Sequence, residues 1–341
     1  MSSSAERASH EPGNAQKIER LSVIAPMLNE ATHVQGFVDD LAAQDFTGPV
    51  EVLVADGGST DGSVELLHSA AARAGLDLTV IPNPARWVSQ GLNACIAAAT
   101  GELLVRLDCH SRYPADYLRL CAAAAEETDA LVVGGIVLPE GRTATERAVS
   151  CAMDNPFGGI GWMRETAEAV RRESDVVTYG AFRPEAFERA GLFDESLLRN
   201  QDDEFTLRLR RAGGKVLLDS SIKVAYTPRG SYRGVFRQYF QYGYWKVRVM
   251  RKHRQVLSGR SLVPPVFVLS LVALVPAAVF LPVARLVLGL ELAAYLLGAI
   301  VFSVRSVRAR NEPLSLVPRV VGVYPMFHVG YGVGMLWGFV R

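Results

Sequence analysis

The sequence has few cysteines, and their spacing gives them no structural role. Its 341 residues contain four cysteines, and no two of them stand in C-x-x-C spacing. This excludes a zinc knuckle and a disulfide scaffold, and it is typical of a protein kept in a reducing compartment. Residues 1–17 are polar and lack the apolar segment of a secretory signal, so we expect the large N-terminal part of the chain to stay in the cytoplasm.

Two common nucleotide-binding motifs are also missing. No G-x-G-x-x-G follows a strand-like run, and no G-x-x-x-x-G-K-[ST] occurs. The first motif binds dinucleotides, and the second cradles phosphates in P-loop enzymes. A dehydrogenase or an ATPase is therefore disfavoured.

Charge is scarce in the last quarter of the chain. The segment 261–340 contains seven charged residues, whereas 21% of the whole chain is charged. Three apolar stretches, 262–284, 286–304 and 320–340, are long enough to cross about 30 Å of hydrocarbon. We predict a membrane region over 261–341 with about three spans, and a turn at Arg285. The glycine-rich third stretch has an alternative, which is a re-entrant or interfacial segment.

Acidic residues are absent between Asp219 and Glu291, and ten basic residues lie between Asp219 and the first apolar stretch. Basic residues mark the cytoplasmic ends of membrane spans, which predicts a multi-pass protein of the inner membrane with a cytoplasmic N-terminal domain. The basic, aromatic segment 229–260 is typical of a helix at the lipid headgroup boundary. Membrane lipid explains this charge, and the net acidic first 219 residues argue against a nucleic-acid partner.

Before residue 229, short apolar runs alternate with helical periodicity. The strand-like runs are 21–25, 50–54, 78–81, 102–107 and 130–133, and the helical runs are 33–43, 63–74, 89–100 and 115–126. This alternation predicts an α/β fold with a mainly parallel sheet. Ligands of such sheets bind beyond the carboxyl ends of the strands, so the residues after each run are the candidates for a site.

Polar residues follow three of these strands. They are 26–30 after the first strand, 56–62 after the second and 108–110 after the fourth. Each segment alone has a structural alternative, because such residues also form turns and begin helices. Their joint occurrence on one rim of the sheet favours a nucleotide site.

Together these segments resemble the family 2 glycosyltransferases, which are inverting sugar transferases with the GT-A nucleotide-diphospho-sugar fold. The resemblance covers roughly 21–225; residues 23–30 look like the opening strand, and 54–63 is similar to the signature V-D-D-G-S-T-D-G-T. It implies a GT-A domain over 21–228, preceded by a disordered segment over 1–20. The second aspartate of the signature is Gly57 here.

The resemblance implies a donor site on this rim. Asp56 would accept the imide hydrogen of uracil, since a carboxylate only accepts hydrogen bonds. The nucleotide-sugar-binding residues would be Pro26, Asn29, Glu30, Asp56, Arg86 and Asp108.

The segment 106–110 stands where the family has its D-x-D metal motif, so Asp108 and His110 would be the metal ligands. Carboxylates bind Mg²⁺ and Mn²⁺, and histidine suits Mn²⁺ better, so the expected cofactor is one of these divalent ions. Asp108-x-His110 followed by Tyr113 and Pro114 is similar to the exopolysaccharide branch of the family, the succinoglycan-type glucosyltransferases. That branch also has membrane spans after its catalytic domain.

The segment 200–209 is similar to the family's E-D-x-E-L-x-x-R-L, with Gln201 in place of the glutamate. In this alignment Asp202 is the catalytic base that removes the proton of the acceptor hydroxyl. A purely structural alternative is an acidic first helical turn that complements the helix dipole. A shift of one residue would make Asp203 the base.

Two further segments would contact the acceptor. Gly180 and Ala181 resemble the small-residue loop where donor and acceptor sugars meet. Tyr242 and Trp245 belong to a segment that partly matches the Q-x-x-R-W motif of processive synthases but lacks its arginine. These two aromatic residues would stack on an acceptor sugar or anchor the chain at the membrane interface.

The resulting hypothesis is a membrane-anchored hexosyltransferase. It would transfer a sugar from a UDP-sugar to a lipid-linked saccharide in exopolysaccharide or cell-envelope glycan synthesis. One alternative is a polyprenyl-phosphate sugar synthase, whose acceptor phosphate needs no base. Another is a non-catalytic membrane scaffold with a GT-A fold, suggested by Gly57, His110 and Gln201 at positions where the family has other residues.

Overall fold

The structure is a computed structural model that describes residues 17–159, 170–255 and 259–341. Within these ranges the strands are β1 Leu21–Met27, β2 Val50–Asp56, β3 Asp77–Pro82, β4 Leu103–Arg106, β5 Ser111–Arg112, β6 Val132–Pro139, β7 Arg171–Glu173, β8 Thr178–Phe182 and β9 Val216–Tyr226. They form one sheet in the order β3-β2-β1-β4-β8-β6-β9-β5, with β7 paired to β9.

Helices cover both faces of this sheet. In the same ranges they are α1 Val34–Ala42, α2 Ser63–Ala74, α3 Val88–Ala98, α4 Tyr117–Glu126, α5 Ala144–Met153, α6 Pro184–Ala190 and α7 Gln201–Arg211. Strand β1 pairs in parallel with β2 and β4, and β2 pairs in parallel with β3. The predicted α/β fold with a mainly parallel sheet is confirmed.

Strand β1 is buried on both faces, which explains its continuous apolar sequence. Val23 belongs to the layer that contains Phe37 of α1, and Ile24 belongs to the opposite layer with Leu92 of α3. Both strand residues are fully buried. Successive side chains of a strand point to opposite faces, so one short segment contributes to two cores.

The first described residues already belong to this core. Ile18 is 3% exposed, and its N–H donates to Oε1 of Glu126 at the end of α4 over 2.6 Å. The prediction of a disordered segment over 1–20 is therefore wrong for its last residues. Residues 1–16 lie outside the described ranges.

Strand β8 is antiparallel and lies between β4 and β6. Ala181 pairs with Val105 of β4 and with Val133 of β6, and it is fully buried. A side chain at the neighbouring Gly180 would meet Phe182 and Val132. The prediction of a small-residue loop here is wrong, because both residues lie inside the sheet and are small to fit between packed side chains.

Four long helices follow the sheet: α8 Tyr232–His253, α9 Val263–Phe280, α10 Pro282–Ala309 and α11 Val317–Val340. Two helical segments in the described ranges are long and apolar enough to cross a membrane, namely Gly259–Phe280 and Pro282–Ala309. The predicted turn at Arg285 is wrong. The helices separate at Leu281, because Pro282 lacks an N–H and favours the first turn of a helix, which places Arg285 inside α10.

Helix α11 covers the third apolar stretch and packs along α8. An added side-chain carbon at Gly330, Gly334 or Gly338 would meet a backbone carbonyl oxygen of α8, and one at Gly243 of α8 would meet backbone atoms of α11. Glycines spaced by four residues lie on one face of a helix, so they let the two backbones approach closely. That α11 itself crosses a membrane stays a prediction.

Replacing Gly334 with alanine should weaken the contact between α8 and α11. The new methyl group would meet backbone atoms of Phe240, which cannot move unless the helix moves. Thermal unfolding of the full chain in detergent should show a loss of about 1–3 kcal/mol.

Gly289→Ala in α10 is the matched control. Apart from the adjoining residues and backbone of its own helix, no atom of the described residues lies within 4 Å of the methyl group that this substitution adds. Alanine favours a helix over glycine by about 1 kcal/mol. We expect this variant to be as stable as the wild type or slightly more stable. Equal losses in the two variants would contradict the close approach of α8 and α11.

Candidate active site

The loops that follow β1 and β2 are joined by a pair of hydrogen bonds. Asn29 adopts a left-handed backbone conformation with φ of 56°, which asparagine tolerates better than most residues. Its Oδ1 accepts from the N–H of Thr60 over 2.9 Å, and its own N–H donates to Oγ of Ser59 over 2.9 Å. The two predicted rim segments are therefore one connected unit.

Asp56 ends β2 and shapes the loop that follows it. Its Oδ2 accepts from the N–H of Gly58 over 2.9 Å and from the N–H of Ser59 over 3.1 Å, and its Oδ1 accepts from Oγ of Ser59 over 2.6 Å. A carboxylate offers about four acceptor sites, so the half-buried group retains capacity for one further donor from a ligand. The loop after β3 is attached here too, since the N–H of Asn83 donates to the carbonyl of Asp56 over 2.8 Å.

Arg86 lies in this loop after β3, with a left-handed φ of 66° and an exposed side chain. The neighbouring Trp87 is 49% exposed. Sequence reasoning missed Trp87, although an exposed tryptophan in the loop between a predicted strand and the next helix, on the binding rim, suggests a ligand-stacking residue. Pro26, another predicted donor-binding residue, does not lie in a loop. It belongs to strand β1, where it pairs with Ala55 of β2.

Glu30 connects the first loop to the loop after β4. Its Oε2 lies 2.7 Å from Nδ1 of His33, and its Oε1 lies 3.1 Å from Nδ1 of His110. The hydrogen bond with Glu30 raises the pKa of His110, because a carboxylate stabilises the imidazolium. Behind Glu30, Oδ2 of Asp61 accepts from the N–H of Ala31 over 3.0 Å. All three loops after β1, β2 and β4 thus meet on one rim.

Arg106, the last residue of β4, carries a buried charge at the centre of the rim. Its Nη1 donates to Oδ1 of Asp202 over 2.6 Å, and its Nε donates to Oδ1 of Asp108 over 3.3 Å. The side chain of Arg106 is 6% exposed. Sequence reasoning assigned it no role, although an arginine inside an apolar strand must find carboxylate partners when it is buried.

Both carboxylates beside Arg106 are partly buried: the side chain of Asp108 is 15% exposed, and that of Asp202 is 20% exposed. Burial raises the pKa of Asp202, the charge of Arg106 opposes that rise, and the charge of Asp108 adds to it. The net direction is upward. A carboxylate with a raised pKa is a stronger base, as proton removal from an acceptor group requires.

The first turn of α7 directs three successive carboxylates to different partners. Asp202 faces Arg106, whereas Oδ2 of Asp203 lies 2.7 Å from Nζ of Lys246 on α8. Glu204 is fully buried, and its Oε1 lies 2.7 Å from Nζ of Lys252. Successive side chains on a helix are about 100° apart, so only one of the three faces the rim.

Asp108 is also held by its backbone. Its N–H donates to the hydroxyl of Tyr113 over 2.7 Å, and the N–H of Tyr113 donates to Oδ2 of Asp40 over 2.9 Å. Tyr113, which belongs to the predicted exopolysaccharide-type signature, is buried. It therefore fixes the position of the predicted metal ligand from behind.

No group of three or more His, Cys, Asp or Glu residues that could hold a metal occurs in the described part of the chain. The donor set at the predicted position is the carboxylate of Asp108 and the imidazole of His110, whose Nδ1 is engaged by Glu30. A carboxylate with an imidazole fits a divalent ion such as Mn²⁺ when a ligand supplies the remaining oxygens. The residues present fit a metal that is shared with a bound diphosphate.

The predicted acceptor residues lie on two different elements, β8 and α8. Tyr242 lies next to the start of α7, since its carbonyl accepts from Nδ2 of Asn200 over 3.3 Å. Trp245 is half-buried one turn further along α8, in edge contact with Tyr244. Gly180 and Ala181 lie inside β8 and do not form an acceptor loop.

Comparison with known proteins agrees with this fold and shows the family of the chain. A sequence model of Glycosyl transferase family 2 matches residues 22–188. The succinoglycan biosynthesis protein ExoA of Rhizobium meliloti (strain 1021) is 31% identical over 244 residues, which are 71% of this chain and 73% of that protein. The chain belongs to glycosyl transferase family 2 and is a glycosyltransferase, as the resemblance of its sequence motifs implied.

Two more distant proteins match nearly the whole chain. One is the dolichyl N-acetyl-alpha-D-glucosaminyl phosphate 3-beta-D-2,3-diacetamido-2,3-dideoxy-beta-D-glucuronosyltransferase of Methanococcus voltae, 22% identical over 94% of this chain and 97% of that protein. The other is a solved structure, the mannosyltransferase PcManGT from Pyrobaculum calidifontis in complex with GDP-Man and Mn²⁺. Its TM-score is 0.65 at 20% identity, over 96% of this chain and 89% of that one. This likeness shows that the GT-A fold is shared.

Removing the charge of Arg106 should destabilise the domain, and more so as the pH rises. Arg106→Gln leaves two partly buried carboxylates without their counter-charge, which costs about 3–5 kcal/mol in comparable sites. The folded-state pKa of Asp202 is already raised, so its ionisation weakens the fold, and the deficit should grow as the pH rises through that value. Thermal unfolding at pH 5 and pH 8 measures this.

Asp202→Asn in the same background tests the pairing. The double variant has only the Asp108 charge left without a partner, so at pH 8 it should recover part of the stability that Arg106→Gln loses. In a double-mutant cycle the two substitutions should show a coupling free energy of at least about 1 kcal/mol. Strict additivity, or a deficit that does not change with pH, would contradict a charge-pairing role for Arg106.

Proposed function

We propose that this glycosyltransferase is anchored in a membrane and transfers a sugar, with inversion, from a nucleoside-diphosphate sugar to a hydroxyl group of a lipid-linked saccharide. The arrangement of Asp202 beside Arg106 and Asp108 is the observation that carries this proposal. Residues 96 positions apart in the chain meet on the rim where ligands of such sheets bind. Glycan synthesis as the setting is supported by the name of the succinoglycan relative.

Asp202 is the proposed general base. In a single displacement the acceptor hydroxyl attacks the anomeric carbon from the face opposite the diphosphate, and its proton goes to the carboxylate. One base suffices, because the leaving group is neutralised elsewhere. The raised pKa of Asp202 suits this role, while its ion pair with Arg106 holds the carboxylate in place.

The donor lies, in this proposal, over the joined loops after β1, β2 and β3. Asp56 retains an acceptor site for the imide hydrogen of uracil, and Asn29 and Glu30 shape the loop beside it. Guanine also offers a ring N–H to a carboxylate, so the carboxylate of Asp56 supports UDP without excluding GDP. Arg86 and Trp87, in the loop after β3, have exposed side chains that a bound donor can contact.

Asp108 and His110 would hold a divalent ion together with the diphosphate oxygens of the donor. Bound there, Mn²⁺ or Mg²⁺ would neutralise the charge that develops on the leaving diphosphate. The complex of PcManGT with GDP-Man and Mn²⁺ supports this choice of metal. The interaction of Glu30 with His110 leaves only Nε2 of the imidazole for the ion.

We further propose that the catalytic domain faces the cytoplasm and that α9 and α10 form a hairpin through the inner membrane. Basic residues precede α9, and Arg305, Arg308 and Arg310 lie at the end of α10, so both ends of the hairpin carry positive charge. Helix α8 contacts the catalytic domain along its length, and α11 packs along α8. This pair of helices therefore fits the headgroup boundary better than a third span.

An acceptor carried on a lipid follows from this placement. The rim with Asp202 is attached to α8 through Asn200 and Asp203, so the site lies close to the helices at the membrane surface. The name of the relative from Methanococcus voltae, which includes a dolichyl phosphate sugar, supports the same class of acceptor.

Asp202→Asn should reduce sugar transfer by about 10²–10⁴-fold, because the amide cannot take up a proton. The assay measures transfer from a panel of radiolabelled UDP- and GDP-sugars into extracted lipid-linked saccharides with Mn²⁺ or Mg²⁺. Donor binding, measured separately by calorimetry, should persist. Asp203→Asn is the matched control, since its partner is Lys246 on α8, and it should retain most of the activity.

Other outcomes identify the alternatives. Retained transfer in Asp202→Asn, with a product that mild acid cleaves, would indicate a lipid phosphate acceptor and a sugar-phosphate synthase. Donor binding without transfer by the wild type to any acceptor in the extract would favour the non-catalytic scaffold. Greater loss in Asp203→Asn than in Asp202→Asn would reassign the base.

A further inference from the structure

A polar cavity of about 270 Å³ lies where the catalytic domain meets the end of α10. It is well separated in sequence from the rim residues described above, and it is lined by Glu140, Gly141, Arg147, Ser150, Arg310 and Glu312. Glu140 follows β6, Arg147 and Ser150 belong to α5, and Arg310 directly follows α10.

Two polar groups in this cavity have no hydrogen-bond partner among the described residues. Ser150 is 1% exposed, and its Oγ is unpaired. Nε of Arg147 is also buried and makes no hydrogen bond, since Oε2 of Glu312, its ion-pair partner, lies 3.6 Å away, beyond hydrogen-bond distance. Burying a polar group without a hydrogen-bond partner destabilises the fold, so both groups favour a ligand that accepts hydrogen bonds.

The charges of the lining are balanced. Two arginines face two glutamates, and the guanidinium of Arg310 is held by the carbonyl of Pro139 at 2.6 Å and by Oδ2 of Asp154 at 3.4 Å. A diphosphate or another purely anionic ligand would meet the carboxylates of Glu140 and Glu312. A zwitterion with an acceptor at one end and a cation at the other matches both halves of the lining.

The position of the cavity points to a lipid. Helix α10 is one of the two helices apolar enough to cross a membrane, and Arg310 stands just beyond its last turn, where lipid headgroups begin. None of the six lining residues is aromatic. A quaternary ammonium group is typically bound by aromatic rings, whereas a primary ammonium donates hydrogen bonds to carboxylates.

We propose that this cavity binds the headgroup of a zwitterionic phospholipid, namely a phosphate ester that carries a primary ammonium group. The phosphate lies against Arg147 and Ser150, and the ammonium lies between Glu140 and Glu312. The proposal rests on the membrane placement given under the proposed function and goes beyond the transfer reaction. A bound lipid here ties the end of α10 to α5 and so fixes the catalytic domain relative to the bilayer.

The experiment uses the full chain purified in mild detergent from vesicles of equal parts phosphatidylethanolamine, phosphatidylcholine and phosphatidylglycerol. Native mass spectrometry counts the lipids that stay bound. We expect phosphatidylethanolamine to be enriched over the other two. Arg147→Gln should lower its retention about tenfold, and Ser150→Ala should lower it severalfold, since each removes a donor to the phosphate.

The control is Arg308→Gln, which also replaces an arginine by glutamine, but at an exposed position near the end of α10 that does not line the cavity. It should retain phosphatidylethanolamine as the wild type does. Glu312→Gln should shift the preference from phosphatidylethanolamine towards phosphatidylglycerol, because the ammonium loses its carboxylate. Thermal unfolding of each variant tests whether the fold is intact. If Arg147→Gln does not fold, Ser150→Ala still tests the cavity, because it removes only a hydroxyl group that has no hydrogen-bond partner.

Three results would overturn the proposal. They are equal retention of all three lipids, a preference of the wild type for phosphatidylglycerol, and retention that the cavity variants leave unchanged. Free phosphoethanolamine at millimolar concentration is added in a separate arm; if it binds as tightly as the lipid, the ligand is a soluble metabolite. No sugar nucleotide is present, so failure here leaves the transfer reaction untouched, and failure of transfer leaves lipid retention measurable.

Discussion

The ion pairs of Arg106 hold the two halves of the active site together. A guanidinium cannot be deprotonated in a protein, so a buried arginine needs carboxylate partners. One partner, Asp108, comes from the loop after the same strand, and the other, Asp202, comes from a helix 96 residues later. Because neither carboxylate is fully exposed, the position of the Asp202 carboxylate and its pKa both depend on this one charge.

Helix α8, which precedes the apolar helices, also contacts the site. Helix α8 contacts the start of α7 through Lys246 and through the carbonyl of Tyr242, and α11 packs against α8 through its glycines. The carboxylate of Asp203, next to the proposed base Asp202, is therefore anchored to α8, which packs against α11. This physical connection supports the proposal of a lipid-linked acceptor, since it places the proposed base next to helix α8.

The rim residues were predictable from sequence because parallel strands end at the same edge of a sheet. Asp56, Asn29, Glu30 and Asp108 were found by this rule, and the structure brings their loops together. Ala181 was not predictable as a strand residue, because its strand is antiparallel, and small residues in a short segment suggest a loop. The structural role of Arg106 was missed for another reason: its partners are visible only once α7 lies beside β4.

The sequence by itself determined the family, the alternation of strands and helices, and the two long apolar helices, because each depends on local patterns and motif spacing. Only the tertiary structure decided that Asp202 rather than Asp203 faces the rim, since one residue along a helix rotates a side chain by about 100°. It also decided where the apolar hairpin turns and that Arg147 and Ser150 face a shared cavity. Contacts between distant segments set these features, and no local pattern contains them.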